Sequence, residues 1–474
     1  MKPFQIFNTL SRSVEEFVPL HPPKVTFYSC GPTVYLPQHL GNMRARLFAD
    51  TLTRALRFNG YQVRHVMNVT DVGHMTTDED AGEDKIEKTA RAQGKSPREV
   101  ADYYLEMFLR DTDTLKIERP DVICRATDHI PDMIDLIQRI IARGYAYVTT
   151  SGVYFDVEKW RGPGGVGRLS RQSLDEQFAG QRLEHSSDKK SPHDFVLWVL
   201  NQPGHLMQWD SPWGRGYPGW HIECSAMSMK YLGETIDIHA GGNDHIPVHH
   251  ENEIAQSESA TGHPFVRYFV HFAFLVDREG AKISKSAGKF PLLSDLIAAG
   301  ISPMAFRLLC FSAKYRSEII LSDDNIMAAQ KNYEYFAEFA RSMPDDVAKA
   351  PADSAWAVGY RERFHDAINN DLNSPQALAA ALDLVGESYR RDDRRIWNTL
   401  RALDSVMGFD LAGIRESAGQ TEFPPAVAKL IEDRDRARKE RNFKLADELR
   451  REIEKQGYEV RDTREGSSYV RRPK

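Results

Sequence analysis

Between Tyr217 and Glu253, a span of 37 residues, the chain carries one thiol (Cys224), five imidazoles (His221, His239, His245, His249, His250) and several carboxylates. A solvated surface or an apolar core rarely needs that density of donors, and the stretch reads as a metal site. In H-H-E-N-E, His249 and Glu253 are four residues apart, so on a helix both project from one face and can reach one ion. Glu251 and Asn252 then point elsewhere. A thiolate, an imidazole and a carboxylate together suit zinc best, provided a fourth ligand comes from another part of the chain. The spacing also suits an ordinary helical side-chain pair with Cys224 as a small buried hydrophobe; Cys224 and the Gly241-Gly242 turn beside the pair favour the ion.

The elements that must position this stretch begin near the N-terminus. Residues 24 to 31, K-V-T-F-Y-S-C-G, predict a short buried strand ending at a Gly-Pro turn. After H-L-G-N at residues 39 to 42, the spacing of Phe48, Leu52, Ala55 and Leu56 predicts a helix closed by Gly60. A second strand, Q-V-R-H-V-M-N-V-T, ends near Thr70. Strand, helix, strand in about 45 residues is a βαβ unit, so a parallel sheet with ligands at the strand C-termini is expected. Cys30 and Thr70 fall at such ends, which makes Cys30 the candidate for the missing ligand.

Further along, Gly73 to Lys88 is acidic and polar and predicts a solvated loop leading into a helix. Residues 119 to 210 interrupt the sheet pattern and read as an inserted module: a helix over Ile130 to Gly144, a strand over Tyr145 to Val157, and a Gly-rich turn at Gly162 to Gly167. From residue 318 the pattern is helical, with Asn373-Ser374-Pro375 as a cap and Leu378, Ala381, Leu382 and Val385 on one face. Leu411 to Pro425 is the expected linker. Beyond it, residues 426 to 474 hold 15 Lys or Arg against 11 Asp or Glu, which suits either a polyanion or a solvated charged helix.

A chain of 474 residues can hold two to four domains, and 41% hydrophobic with 27% charged residues is ordinary for a soluble globular protein. The net charge of −6 advertises no nucleic-acid binding overall, so any basic surface must be local. Four dispersed cysteines (Cys30, Cys124, Cys224, Cys310) argue against a disulfide framework and for a reducing compartment, with Cys124 and Cys310 read as structural. The N-terminus lacks a secretory apolar segment and no apolar run reaches the length of a membrane span. The expectation is a cytoplasmic protein.

Two further stretches connect these features. H-L-G-N at 39 to 42 and K-I-S-K-S at 282 to 286 resemble the paired HIGH and KMSKS signatures of class I aminoacyl-tRNA synthetases. Together with F-Y-S-C-G-P-T-V-Y, P-G-W-H-I-E-C-S-A-M and H-H-E-N-E-I-A-Q-S, the chain resembles the cysteinyl-tRNA synthetase family over nearly its whole length. The resemblance implies activation of L-cysteine with Mg-ATP to cysteinyl-adenylate and transfer to tRNA(Cys). It implies zinc held by Cys30, Cys224, His249 and Glu253, and cysteine bound by Thr70, Trp220 and His239. ATP would be met by His39, Gly41, Asn42, Lys282, Ser284, Lys285 and Ser286, with His39, Asn42, Lys282 and Lys285 catalytic. A helix N-terminus favours anions, and the two lysines would offset charge developing on pyrophosphate. His250 is read as a bystander to His249.

The implied architecture is α/β: a Rossmann-type parallel-sheet catalytic domain over 1–118 and 211–317 carrying the lysine loop, a connective insertion over 119–210, a helical tRNA-binding bundle over 318–410 and a small α+β anticodon-binding domain over 426–474. The family is commonly monomeric. Three departures from its pattern stand out: Asn42 in place of the final His of HIGH, Ile283 in place of Met, and a longer acidic segment from Gly73 to Lys88. Two other functions use similar residues. A cysteine ligase of mycothiol synthesis acts on an amino sugar, and residues 411–474 argue against it. A non-catalytic paralogue is disfavoured by Lys282, Lys285, His39 and the four donors together.

Overall fold

The computed structural model describes residues 2–72, 84–160, 165, 167–172, 188–283, 290–348, 352–418, 425–463 and 466–471. Ser284, Lys285, Ser286, most of the Gly162–Gly167 turn and residues 73–83 of the acidic segment lie outside them.

After a small hairpin, β1 (Gln5–Asn8) and β2 (Ser13–Glu16), the chain enters a parallel βαβ unit: β3 (Lys24–Ser29), α1 (Leu40–Phe58) and β4 (Gln62–Val69). Helix α1 begins at a reciprocal cap, in which His39 Nδ1 accepts from the Asn42 N–H at 3.3 Å and Asn42 Oδ1 accepts from the His39 N–H at 3.2 Å. Its apolar stripe, including Leu40, Met43, Leu47, Leu52 and Leu56, is buried. Each such side chain contributes about 1.5–3 kcal/mol. Gly60, at φ 85°, turns the chain out of the helix at a conformation other residues resist.

Helices α2 (Lys85–Gln93) and α3 (Pro97–Thr114) lead to β5 (Val122–Arg125), which pairs parallel to β4. Next comes an antiparallel four-stranded sheet, β6 (Ala146–Val148), β7 (Gly152–Phe155), β8 (Val196–Leu200) and β9 (Gly216–Pro218), after a helix over Ile130–Ala142. The single strand expected over Tyr145 to Val157 is therefore two, β6 and β7, joined by a tight turn in which the Thr149 N–H donates to the Gly152 carbonyl at 2.8 Å. A run of β-formers on both sides hides that turn from a propensity reading.

The chain then returns to the first sheet through the Trp220–Leu232 helix, β10 (Ile236–Gly242), the His249–Thr261 helix and β11 (Val266–Phe272). The completed sheet is all parallel, in the order β11-β10-β3-β4-β5. From β3 the order runs one way to β4 and the other way to β10, so a crevice opens at the carboxyl ends of β3 and β10. Gly31, just past β3, is fixed by this crowding: a Cβ there would lie 1.5 Å from the Asn68 carbonyl oxygen.

Beyond β11 lie the short parallel pair β12 (Leu275–Val276) and β13 (Ile319–Ile320), and then helices, the longest over Asp323–Arg341 and Ser374–Arg391. A buried ion cluster joins them to α1. Arg307 and Arg54 both bond to Asp50, while Arg307 also donates to the Met407 carbonyl at 2.7 Å and the Leu115 carbonyl at 3.0 Å. The expected linker is partly helix: Leu411–Ala418 is helical and Leu411 is fully buried. Its Gly and Ser are tolerated because Leu411 packs inward and its N–H is bonded by Asp404 at 2.8 Å. The C-terminal part packs two helices, Pro425–Lys439 and Phe443–Lys455, on an antiparallel hairpin, β14 (Tyr458–Thr463) and β15 (Gly466–Arg471). Among the described residues no helix is long and apolar enough to cross a membrane.

Candidate active site and metal centre

The crevice at the ends of β3 and β10 holds a cavity of about 660 Å³. Its wall is shared by the β3–α1 connection (Cys30, Thr33, Tyr35, Gln38), the start of α1 (His39, Gly41, Asn42), the end of β10 with the turn after it (Gly241, Gly242, Asp244) and the residues that lead from β11 to the lysine loop (Phe274, Lys282). Among the described lining residues three are cationic, Arg46, Lys85 and Lys282, and Asp244 is the one carboxylate. Such a wall favours a polyanion.

At the inner end of this cavity the donors of Cys30, Cys224, His249 and Glu253 all lie within 4.8 Å of one another, every one buried. Cys30 comes from the end of β3 and Cys224 from the Trp220–Leu232 helix, while His249 and Glu253 lie one turn apart on the next helix. The last two share a face as their spacing requires, with His249 Nε2 3.0 Å from Glu253 Oε1. Glu251 points away and anchors a turn, accepting the Gly167, Leu169 and Ser170 N–H groups at 2.7–3.2 Å.

His250 does not stand aside as expected. Its Nε2 is 3.5 Å from Cys30 Sγ and its Nδ1 is 2.8 Å from His271 Nε2, whose other nitrogen meets Thr9 Oγ1 at 2.8 Å. Cys30, His239, His250 and Glu253 make a second donor set that shares two members with the first. The reason is Gly241. A Cβ there would fall 2.6–2.9 Å from the His245 and His250 rings, so only glycine lets both imidazoles press on the end of β10.

The protonation pattern fits a cation. Burial opposes ionisation of Cys30, but the Cys224 thiol and the His245 and His249 imidazoles outweigh it and hold the group well below the ordinary thiol range. Burial works against the charged forms of His249 and Glu253 as well. Charge neighbours win: the Glu253 carboxylate, with Cys30, carries His249 up to about 10, and His239 first and His249 second hold Glu253 down at about 2. Glu253 Oε1 makes no hydrogen bond although fully buried. Two thiols, an imidazole and that oxygen form a donor set suited to zinc, for which metal would take the place of the shared protons. His221 Nδ1 meets His249 Nδ1 at 2.7 Å, which leaves Nε2 for the centre.

The three residues expected around the amino acid are divided. Trp220 is partly exposed and stacks on His249 with ring centroids 4.5 Å apart. His239 lies fully buried behind the carboxylate, with Nε2 2.8 Å from Glu253 Oε2. Thr70, also buried, donates to Glu223 Oε2 at 2.9 Å. The Glu223 carboxyl is pushed well above its usual range, by burial before all else, and was invisible in the sequence as a site residue.

At the other end of the cavity His39 and Asn42 spend polar atoms on each other in the cap described above. Gly41 is required here: a Cβ would come 2.9 Å from the His39 ring and 3.3 Å from the Ile283 carbonyl. Lys282 Nζ is 2.7 Å from Asp244 Oδ2 and 4.1 Å from the Phe274 ring centroid. Arg46 donates to the Cys30 carbonyl and is lowered to about 10 by burial. Asp244, Arg46 and Lys85 were missed in the sequence. A-G-G-N-D at a strand end was the available signal for Asp244, and D-K-I, with Asp84 as helix cap, the signal for Lys85.

The chain is similar to known proteins over most of its length. Residues 16–331 match the tRNA synthetases class I (C) catalytic domain and residues 420–471 the Cysteinyl-tRNA ligase anticodon binding domain. The chain is 43% identical to the Cysteine--tRNA ligase of Treponema denticola, covering 97% of each chain. It is 42% identical to Cysteine--tRNA ligase 1 of Burkholderia lata, over 98% of this chain and 96% of that one. Among solved structures, the methionyl-tRNA synthetase of Mycobacterium tuberculosis with methionyl-adenylate shares the fold at a TM-score of 0.57 and 16% identity, covering 84% of this chain and 92% of that one.

Proposed function

The chain belongs to the cysteine--tRNA ligases of the class I aminoacyl-tRNA synthetases, and from that premise we propose that zinc held by Cys30, Cys224, His249 and Glu253 selects cysteine by its thiolate. The single observation that supports this is the adjacency of that buried donor cluster to a cavity walled by the α1 start and Lys282. Cysteine and serine differ by one atom, and hydrogen bonds alone separate such near-isosteres poorly. Zinc, when bound, would favour a thiolate over a hydroxyl.

In this reading Asp244, the cavity's carboxylate, receives the α-ammonium of the amino acid, and Trp220, His239 and Thr70 shape the surroundings of its side chain. ATP with Mg²⁺ lies along the α1 start, its phosphates facing the N–H groups there and the charges of Arg46, Lys85 and Lys282. The amino-acid carboxylate attacks the α-phosphorus, the bond to the β-phosphate oxygen breaks, and Lys282 and Lys285 offset the charge gathering on pyrophosphate. His39, Gly41, Asn42, Ser284 and Ser286 complete the ATP contacts. The 2′- or 3′-hydroxyl of the tRNA terminal adenosine then displaces AMP. Residues 1–118 and 211–317 act as the catalytic domain, 119–210 as the insertion, 318–410 as the tRNA-binding bundle and 426–474 as the anticodon domain, in a cytoplasmic monomer.

The test is exchange of labelled pyrophosphate into ATP, with and without zinc chelation, followed by charging of bulk tRNA. Zinc-dependent exchange that needs cysteine, ignores serine and proceeds to charged tRNA supports the reading. Exchange that persists unchanged without zinc, or accepts serine equally, overturns the selection by metal.

A further inference from the structure

A second cluster of donors sits apart from the centre described above. Asp84, Glu87 and His205 bring their ligand atoms within 4.8 Å of one another. Their side chains are 0%, 1% and 7% exposed. Asp84 caps α2 with one oxygen, Oδ1, which accepts the Ile86 N–H at 2.7 Å and the Glu87 N–H at 3.0 Å. Glu87 Oε1 accepts the Leu206 and Met207 N–H groups at 2.7 and 3.1 Å and lies 3.0 Å from His205 Nδ1. The His205 ring is fixed against Tyr217, centroids 3.9 Å apart.

This leaves His205 Nε2 buried and without a hydrogen bond among the described residues, aimed at Asp84 Oδ2 from 4.0 Å. That separation is too long for a hydrogen bond. It suits two donors held about 2.0–2.3 Å from a common ion. We propose that Asp84, Glu87 and His205 form a second divalent-cation site, which fastens the start of α2 to the loop preceding β9. The start of a helix repels a bare cation, and here the two carboxylates outweigh that repulsion. One nitrogen and two carboxylate oxygens suit manganese or zinc rather than a soft ion. The consequence falls on the active site, because Lys85, the first residue of α2, lines the cavity.

The experiment uses the full chain, stripped of metal, reloaded with zinc and titrated with Mn²⁺, with free Mn²⁺ read by electron paramagnetic resonance and total metal by mass spectrometry. The wild type is expected to hold two divalent ions per chain and to melt at a temperature that rises with Mn²⁺. Asp84→Asn, which keeps a capping oxygen, and His205→Phe, which keeps the ring on Tyr217, are expected to hold one ion and to lose the Mn²⁺ response. Cys224→Ser is expected to keep that response. A wild type that binds only one ion, or variants that are folded by circular dichroism and bind two, would overturn the site.

Discussion

Lys282 Nζ and Asp244 Oδ2 are 2.7 Å apart across the mouth of the cavity, so the first lysine of the K-I-S-K-S stretch is held by the only carboxylate among the described lining residues. Burial alone would raise the Asp244 carboxyl; His245 and Lys282 together hold it below the usual range. Under the proposed function, an α-ammonium entering at Asp244 would compete with Lys282 and free the lysine for phosphate. Asp244→Asn is expected to raise the KM for cysteine about 10- to 100-fold, the loss of one charged hydrogen bond. KM for ATP should change little. Lys282→Ala should lower kcat about 10²- to 10³-fold. Pyrophosphate exchange under saturating and limiting cysteine separates the two; equal cysteine KM values for wild type and Asp244→Asn would refute the assignment.

Cys224→Ser removes one donor from a set whose atoms all lie within 4.8 Å. The variant is expected to lose stoichiometric zinc and the preference for cysteine over serine, while KM for ATP stays within about threefold, as for a site remote from the phosphates. Metal analysis beside exchange with each amino acid checks this.

Asp50 gives a pH dependence. Burial pushes its carboxyl up, but Arg307 and Arg54 outweigh that and leave it below the ordinary value. A depressed carboxyl stabilises the fold above its unfolded pKa, about 3.9, and that contribution disappears as pH falls through the folded value. Arg307→Met should cost about 1–3 kcal/mol at pH 7, because it removes one of the two guanidinium partners of buried Asp50 and leaves Arg54 as the other. Urea unfolding from pH 7 downward should show the gap between wild type and Asp50→Asn closing below about pH 4. A gap that widens in acid would contradict the sign.

Asn42 stands where the family signature has a second histidine, and its side chain closes the α1 cap. Asn42→Ala should cost about 1 kcal/mol of stability. Asn42→His tests whether the departure limits turnover: a higher kcat with a lower melting temperature is expected, since a ring serves phosphate at the expense of the cap. Thermal unfolding with exchange kinetics reads both.

Gly31→Ala is expected to prevent soluble expression, because no adjustment of a side chain relieves a Cβ placed 1.5 Å from a backbone oxygen. Gly60→Ala, strained by its φ of 85° but open in space, should fold with a loss near 1 kcal/mol. Expression and melting of the two side by side give the comparison.

What the sequence by itself determined is what short-range geometry controls. The four-residue spacing of His249 and Glu253 put both on one helix face, the strand-helix-strand period required β3 and β4 to be parallel, and Cys30 and Thr70 were placed at strand ends. The signatures at residues 39–42 and 282–286 carried the family. Tertiary structure alone decided the contacts between elements distant in the chain. Cys30 meets His250 because β10 packs beside β3 and Gly241 leaves room for the ring. Thr70 meets Glu223, and Arg307 meets Asp50, across 153 and 257 residues. No local period records such pairs. A side chain's hydrogen-bond partners depend on which elements pack against it, and that is set by burial of the whole apolar surface rather than by its neighbours in sequence. The turn between β6 and β7 and the buried Leu411 escaped for the same reason: turn residues there are weak punctuation, overruled once the flanking apolar side chains found a core.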